Sequence, residues 1–228
     1  MKIYNLLVRL CLVCLIYGIL LDCVMPNPVK KTSELDIKDI NIRDMNPENK
    51  NIFPKELIEF MEIINKEIKY FPVAYSAKRE FVEYVNSWGY ERNYGGNRIH
   101  EGTDIMGIIN ERGIYPVVSV SDGVVEEVGW LELGGYRIGI RSEGGIYYYY
   151  AHLYSYNKGI EKGKKVRAGE LIGYMGDSGY SKVEGTVGNF DVHLHFGIYV
   201  DTDEYGQLSI NPYYFLKSIE NNRIKYNY

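Results

Sequence analysis

The stretch NFDVHLHFGIYV, residues 189–200, holds two of the chain's four histidines one residue apart in an apolar run. Successive side chains on a β-strand point to opposite faces, so His193 and His195 share one face while Leu194 and Phe196 share the other. The pattern predicts a strand with one apolar face and one face that carries two imidazoles. Taken alone, it also fits a half-buried strand whose polar face happens to hold histidines.

The rest of the chain resembles this stretch in its β character. The sequence contains 24 glycines and 23 tyrosines, set among short runs of Val, Ile and Tyr. Such runs, separated by Asp-Gly and Gly-Gly turns, are typical of antiparallel sheets. We therefore predict a mainly β protein with a small antiparallel sheet system. The runs lie at 117–120, 123–130, 136–141 and 146–153, and glycine-spaced short strands follow at 163–179.

The first 25 residues have the features of an export signal. Lys2 and Arg9 come before an uncharged run at 10–21, which matches the basic and apolar regions of a signal peptide. Counting from 3 to 25 instead would allow a retained membrane anchor. Either alternative predicts an extracytoplasmic protein, which is secreted or is tethered to the membrane.

All three cysteines, Cys11, Cys14 and Cys23, lie in or beside this segment. A lipoprotein anchored at Cys23 is a third alternative, which Asp22 disfavours because a small residue is expected at that position. The exported part then has no disulfide, and any zinc site in it must use histidines and carboxylates. The formal net charge of −4 and the lack of a basic stripe exclude a nucleic-acid surface.

Composition and periodicity divide the chain into four parts. Residues 26–53 mix charge, Asn and Pro and are expected to be a linker. Residues 54–70 are predicted to form a short helix packed on the domain, and 71–228 the domain itself, with its core motifs at 92–200. The helical spacing is carried by Leu57, Phe60, Met61, Ile64 and Ile68. The segment 201–218 is predicted to be a hairpin and a closing segment, with Asn211-Pro212 as a turn.

The two other histidines lie in RIHEGTDIMG, 98–107, and YYAHLYS, 149–155. His100 and Asp104 are four residues apart and, because Gly102 disfavours a helix, are expected on the same side of an extended segment. His152 is expected to end the tyrosine strand and, by alternation, to share a face with Tyr148 and Tyr150.

Together these motifs suggest a metal site. A catalytic zinc ion commonly takes three protein ligands from histidine and carboxylate side chains. His100, Asp104 and one histidine of HLH could supply them, while His152 and the other HLH histidine could move protons. Each motif alone is more often structural, as a surface polar pair or a packed histidine. However, no histidine of the chain lies outside these three motifs.

The order of these motifs resembles that of the lysostaphin-type zinc metallopeptidases, also called LytM-like or duplicated-hybrid-motif peptidases. The shared order is R-x-H-x-G-x-D, a D-G-V-V strand, Y-A-H-L, V-x-x-G-x-x-I-G-x-x-G-x-S/T-G and H-L-H-F, over about residues 71–200. The resemblance implies a duplicated-hybrid-motif sheet with a cleft over one zinc ion per chain.

The resemblance also implies roles for single residues. His100, Asp104 and His195 match the family's zinc ligands, and His152 and His193 match its catalytic histidines. Tyr94, six residues before His100, matches a tyrosine that stabilises the oxyanion in some members. The chain departs from the family pattern in the longer segment at 179–196, which could reshape the substrate pocket, and in Val192, where the family often has Pro or Thr.

The function implied by the resemblance is that of an exported zinc endopeptidase that cuts amide bonds in the peptide part of bacterial peptidoglycan. The alternative is a noncatalytic zinc-binding scaffold, or an activator of cell-wall hydrolases or of a sporulation assembly. Relatives with that role usually lack part of the zinc set, and here every position is filled. The bond that is cut, and whether the tyrosine cluster packs or lines a subsite, stay open at this point.

Overall fold

A computed structural model of the protein describes residues 55–75, 82–203 and 205–226. The predicted leader or anchor and the predicted linker at 26–53 lie outside the described residues. Within the part that is described, no helix combines the length and the apolarity needed to cross a membrane.

Twelve strands and two helices make up the described chain. Helix α1 is Lys55–Glu67 and helix α2 is Tyr213–Ile219. The strands are β1 Val82–Tyr84, β2 Glu91–Arg92, β3 Arg98–Ile99, β4 Thr103–Gly107, β5 Pro116–Val118, β6 Gly123–Leu131, β7 Gly135–Arg141, β8 Tyr147–Tyr156, β9 Lys165–Val166, β10 Leu171–Met175, β11 His193–Thr202 and β12 Gly206–Ile210.

The main sheet runs in the order β1-β4-β11-β8-β7-β6-β9, and each neighbouring pair is antiparallel. Strand β12 pairs with β11, β10 pairs with β8 and β5, and β2 and β3 form a separate hairpin. The prediction of a mainly β, antiparallel fold preceded by a short helix is therefore confirmed. The long strands β8 and β11 lie side by side at its centre, where most of the histidines are.

Alternation along β11 separates the core from the cleft. Leu194, Phe196 and Ile198 are fully buried in the main core, whereas His193 and His195 occupy the opposite face. Helix α1 contributes Met61 and Ile64 to the same core, which is why it lies against the sheet. The apolar face of β11 therefore anchors the strand that presents the two imidazoles.

The tyrosine strand alternates in the same way. Tyr148 and Tyr150 are fully buried in the core, and their rings pack on Phe196, with centroids 6.4 and 5.4 Å away. Tyr149 lies on the cleft face, 5.9 Å from the His195 ring. Of these three tyrosines, Tyr148 and Tyr150 pack in the core and Tyr149 lines the cleft.

The expectation that His152 shares a face with Tyr148 and Tyr150 is wrong, as is the expectation that the strand ends there. Strand β8 continues to Tyr156, and its register with β7 shifts between the pairs Ile138↔Tyr150 and Tyr136↔Leu153. This shift is a β-bulge. His152 has a φ of 61°, in the left-handed region, so its side chain leaves the alternation and turns into the cleft.

The C-terminal segment contains an element that the sequence pattern did not predict. Strands β11 and β12 form the expected hairpin, and the closing segment contains the helix α2, which was not predicted. The side-chain oxygen of the buried Asn211 accepts a hydrogen bond from the Tyr213 amide at 3.0 Å. Phe215 and Leu216 complete the core from this helix.

The two core tyrosines of β8 provide a matched test of the fold. The Tyr150 hydroxyl accepts a hydrogen bond from the Val120 amide at 2.9 Å, whereas the buried Tyr148 hydroxyl has no partner among the described residues. We expect Tyr150→Phe to lower the free energy of unfolding by about 1–3 kcal/mol, because a buried amide loses its acceptor. Tyr148→Phe should be neutral or stabilising. Chemical denaturation measures both, and an equal loss in the two variants would contradict this assignment.

Candidate metal centre

Two neighbouring strands bring three potential metal ligands together. His195 of β11 lies directly opposite Asp104 of β4 in the antiparallel register, and His100 immediately follows β3. The three facing atoms are close: His100 Nε2 is 2.8 Å from His195 Nδ1 and 2.9 Å from Asp104 Oδ1. His195 Nδ1 is 3.1 Å from the same carboxylate oxygen. These three side chains form a group that could hold a metal ion.

The chemistry of these atoms fits a cation. His100 Nδ1 must donate its proton to the Ser87 carbonyl at 2.9 Å, so Nε2 presents a lone pair to Asp104 and His195. A carboxylate and imidazole lone pairs at such short range repel one another unless a proton or a metal lies between them. Tetrahedral zinc bound at about 2.0–2.1 Å holds its ligand atoms about 3.3 Å apart, close to the observed spacing. Two histidines and one aspartate are also a donor set that catalytic zinc accepts.

Gly102 makes room for this cluster. A Cβ atom at this position would lie 2.6 Å from His195 ring atoms and 2.6 Å from the Phe196 carbonyl oxygen. Any larger residue would push the β3–β4 segment away from β11. A glycine is therefore needed at position 102 for the segment between β3 and β4 to lie this close to β11.

Asp104 and His195 are in the protonation state that binds metal. Burial raises the pKa of Asp104, but the adjacent His100 and His195 rings lower it by a larger amount, so the pKa of this carboxyl lies well below its usual range. Burial lowers the pKa of His195 to about 4, against the opposing effect of Asp104. Metal ligands must be deprotonated, and both of these side chains meet that condition near neutral pH.

The other two histidines line the same cleft. His152 and His193 are 5% and 8% exposed, and their ring centroids are 4.7 Å apart. His152 Nδ1 donates to the Ser178 carbonyl and His193 Nδ1 to the Asp191 carbonyl, each at 2.8 Å. In both rings Nε2 is therefore the nitrogen left for chemistry. Burial, followed by the neighbouring histidines, lowers the pKa of His152 well below its usual value, so this imidazole is neutral and can accept a proton.

Tyr94 lies at the edge of this site. It is in the turn between β2 and β3, is 40% exposed, and stacks on Tyr180 with centroids 4.5 Å apart and planes 8° apart. Tyr180 in turn lies beside the histidines, with its ring 5.9 Å from that of His152. The sequence pattern missed Tyr180, and nothing in its local sequence distinguishes it from the other tyrosines.

The long segment before HLHF supplies part of the cleft wall. Phe190 contacts the rings of both His152 and His193, at 4.6 and 5.0 Å, and Tyr180 packs on Phe190 at 4.9 Å. Val192 is buried, and its amide donates to the Asn110 side chain at 2.8 Å. This segment thus places two aromatic rings, Tyr180 and Phe190, beside His152 and His193.

The cleft itself has a volume of about 290 Å³. Besides the four histidines and Asp104, its walls contain charged, apolar and aromatic residues, among them Arg92, Arg98, Leu131, Leu133, Tyr180 and Tyr199. A larger polar groove of about 720 Å³ lies beyond Phe190 and contains none of the histidines. The R-x-H-x-G-x-D motif includes Arg98 without giving it a role. Sequence reasoning missed Arg92, because single arginines near a predicted strand are common on protein surfaces.

Arg92 holds the carboxylate of Asp104. Its Nη2 donates to Asp104 Oδ2 at 2.6 Å, while Oδ1 faces His100 and His195. Hydrogen-bond partners that orient metal ligands typically change metal affinity by about 10–100-fold when removed. We expect Arg92→Gln to weaken zinc binding by about that factor in chelator competition. Replacement of the exposed Arg167, which is not part of the cleft wall, by Gln should leave zinc affinity unchanged; equal affinities in all three proteins would contradict this role for Arg92.

Sequence comparison finds relatives with peptidase names. The L-Ala--D-Glu endopeptidase of Bacillus subtilis (strain 168) is 45% identical over 137 residues, which are 60% of this chain and 40% of the relative. Lysostaphin of Staphylococcus simulans is 31% identical over 148 residues, 60% of this chain and 27% of the relative. The chain therefore matches less than half the length of these relatives.

A solved structure agrees with the fold over a larger share of the chain. The crystal structure of lytM from Ruminococcus gnavus ATCC 29149 is 54% identical, with a TM-score of 0.69. The match covers 75% of this chain and 68% of that one. The family model described as Peptidase family M23 matches residues 98–211, a stretch that includes Asp104 and all four histidines. With half of its length matched by that model, the chain belongs to Peptidase family M23.

Proposed function

We propose that the protein is an exported, zinc-dependent endopeptidase that hydrolyses amide bonds in the peptide part of bacterial peptidoglycan. The observation that carries this proposal is the convergence of His100 Nε2, Asp104 Oδ1 and His195 Nδ1 within 3.1 Å of one another, beside two further histidines. Membership of a peptidase family supports it. So do the names of the relatives, one of which specifies an L-Ala–D-Glu endopeptidase.

His100, Asp104 and His195 would hold one zinc ion. When bound, zinc supplies a Lewis acid that lowers the pKa of water and polarises a carbonyl group. The protein's part is to keep the three ligand atoms deprotonated and in place. The ligand atoms are held by the pairing of β4 with β11, by the Ser87 carbonyl and by Arg92.

The two free histidines would handle protons and charge. His152 is neutral, and its Nε2 can take a proton from the attacking water and later give it to the leaving amine. His193 Nε2 lies 3.8 Å from Asp104 Oδ1, beside the proposed ligands, and His193 would act in its protonated form. Such a ring can donate a hydrogen bond to the carbonyl oxygen as negative charge develops on it.

The location proposed for this activity is outside the cytoplasm. The basic residues and the uncharged run at the N-terminus support export, either with cleavage of the leader or with retention as a membrane tether. A substrate in the cell wall requires such a location.

The roles of the histidines can be separated by two variants. His195→Ala removes a ligand and is expected to lose bound zinc and activity together. His152→Ala should keep about one zinc ion per chain and lose about 10²–10⁴-fold in turnover, the usual contribution of a general acid or base. Zinc content by mass spectrometry and peptide release from cell walls provide the two readouts. A His152→Ala protein with unchanged turnover would refute the role of His152.

The substrate class is tested by digestion of isolated cell walls. Walls with glycine bridges, with D-Ala-linked cross-bridges and with direct cross-links are each treated with the purified, zinc-loaded protein, and the released fragments are identified by mass. We expect new amino termini from peptide cleavage in at least one wall type, and none after chelation. Bound zinc without cleavage of any wall would favour the scaffold function over the enzyme.

A further inference from the structure

We propose that Arg98 forms a carboxylate-binding subsite beside the metal centre, so that the preferred substrate carries an acidic residue next to the cleaved bond. The inference rests on the proposed endopeptidase function and narrows its substrate class. It favours an acidic stem peptide over an uncharged glycine bridge.

The position of Arg98 follows from its strand. Arg98 is in β3, two residues before His100, and both line the cleft. Residues two apart on an extended backbone point to the same face, with a separation of about 6–7 Å from a rise of about 3.3 Å per residue. A carboxylate bound at Arg98 would therefore belong to a residue within about two positions of the bond held at the metal ligands.

The bonding of Arg98 leaves its charge available. Its Nε donates to the Tyr94 carbonyl and its Nη2 to the Tyr180 hydroxyl, each at 3.2 Å. Both acceptors are neutral, and among the described residues no carboxylate forms an ion pair with this guanidinium. Arg92, in contrast, is paired with Asp104 at 2.6 Å. Arg98 is thus the half-buried cleft arginine without a counter-charge in the described chain.

A half-buried guanidinium of this kind is well suited to an anionic ligand. Its remaining N–H groups present a planar fork that matches the two oxygens of a carboxylate. A substrate without that charge would desolvate the guanidinium and leave it unpaired, which is costly in a confined site. The subsite therefore selects for the acidic peptide and also against the neutral one.

The rest of the cleft is consistent with an acidic peptide. Glu101 also lines the cleft, and its charge opposes a substrate carboxylate, but this side chain is exposed and is screened by water and salt. The charge of Asp104 is already balanced by Arg92. Leu131 and Leu133 add an apolar wall, which suits a small apolar side chain next to the acidic one.

The test uses two peptides that differ in one group. One contains L-Ala–D-Glu with a free D-Glu carboxylate, and the other has that carboxylate replaced by a carboxamide. For the zinc-loaded protein we expect kcat/KM to be about tenfold or more higher for the acid, mainly through a lower KM, because hydrogen bonds to charged groups are worth at least that factor. Equal values for the two peptides would overturn the subsite and leave the endopeptidase function intact.

Variants then assign the preference to Arg98. Arg98→Gln should bring the acid-to-amide ratio close to one, while Arg98→Lys should keep part of it. Arg167→Gln removes an equal charge outside the cleft and should preserve the ratio. Tyr180→Phe removes a hydrogen-bond acceptor of Arg98 without a change of charge and should also preserve it. If Tyr180→Phe abolishes the ratio as Arg98→Gln does, the role of Arg98 is to hold the wall and the proposal is wrong.

A binding measurement keeps the test decisive if no peptide is cut. Zinc-loaded His152→Ala protein, with and without Arg98→Gln, is titrated with both peptides by calorimetry, and thermal unfolding and zinc content show that each variant is folded. Tighter binding of the acid that is lost with Arg98→Gln supports the subsite even where the endopeptidase function fails. Equal binding of the two peptides, or no binding, overturns it.

Discussion

The structure depends on the antiparallel pairing of β4 with β11, which sets Asp104 directly opposite His195. That register brings a carboxylate and two imidazole nitrogens within 3.1 Å of one another, an arrangement that costs free energy in the absence of a cation. The apolar face of β11 stabilises it, because Leu194 and Phe196 are fully buried. A shift of the register by one residue would turn both histidines into the core.

Three imidazoles are each oriented by a backbone carbonyl, one from the β1–β2 connection and two from the β10–β11 connection. His100, His152 and His193 donate through Nδ1 to the carbonyls of Ser87, Ser178 and Asp191, at 2.8–2.9 Å. This common arrangement fixes the tautomer and directs Nε2 inward. His152 also has a left-handed backbone conformation, of a kind that costs about 1–3 kcal/mol. The backbone amide of His152 donates a hydrogen bond to the Gly134 carbonyl at 2.7 Å, which helps to hold that conformation.

The parts that the sequence predicted are those governed by local periodicity or by the motif order. Alternation correctly separated His193 and His195 from Leu194 and Phe196, because β11 is regular there. It failed at His152, because the bulge in β8 depends on how β7 pairs with it. Arg92 and Tyr180 were missed for a related reason: they become part of the site only when separate segments meet. Arg98 stood in a recognised motif, but its role depends on the side chains that surround it in the fold. Helix α2, with seven residues, is too short for periodicity to distinguish from a loop.

The β2–β3 hairpin would connect the proposed metal site to the proposed substrate selection. It carries Arg92, which holds the Asp104 carboxylate, and Arg98, which leaves its charge free in the cleft. Arg92 touches a ligand directly, whereas the hydrogen bonds of Arg98 go to Tyr94 and Tyr180. Changes at position 98 can therefore alter which peptide is bound while the three ligand atoms stay in place. Gly102 packs the chain between β3 and β4 closely against His195, so the position of His100 is constrained. The proposed specificity residue, Arg98, and the proposed metal ligand, His100, are therefore only two residues apart in the chain.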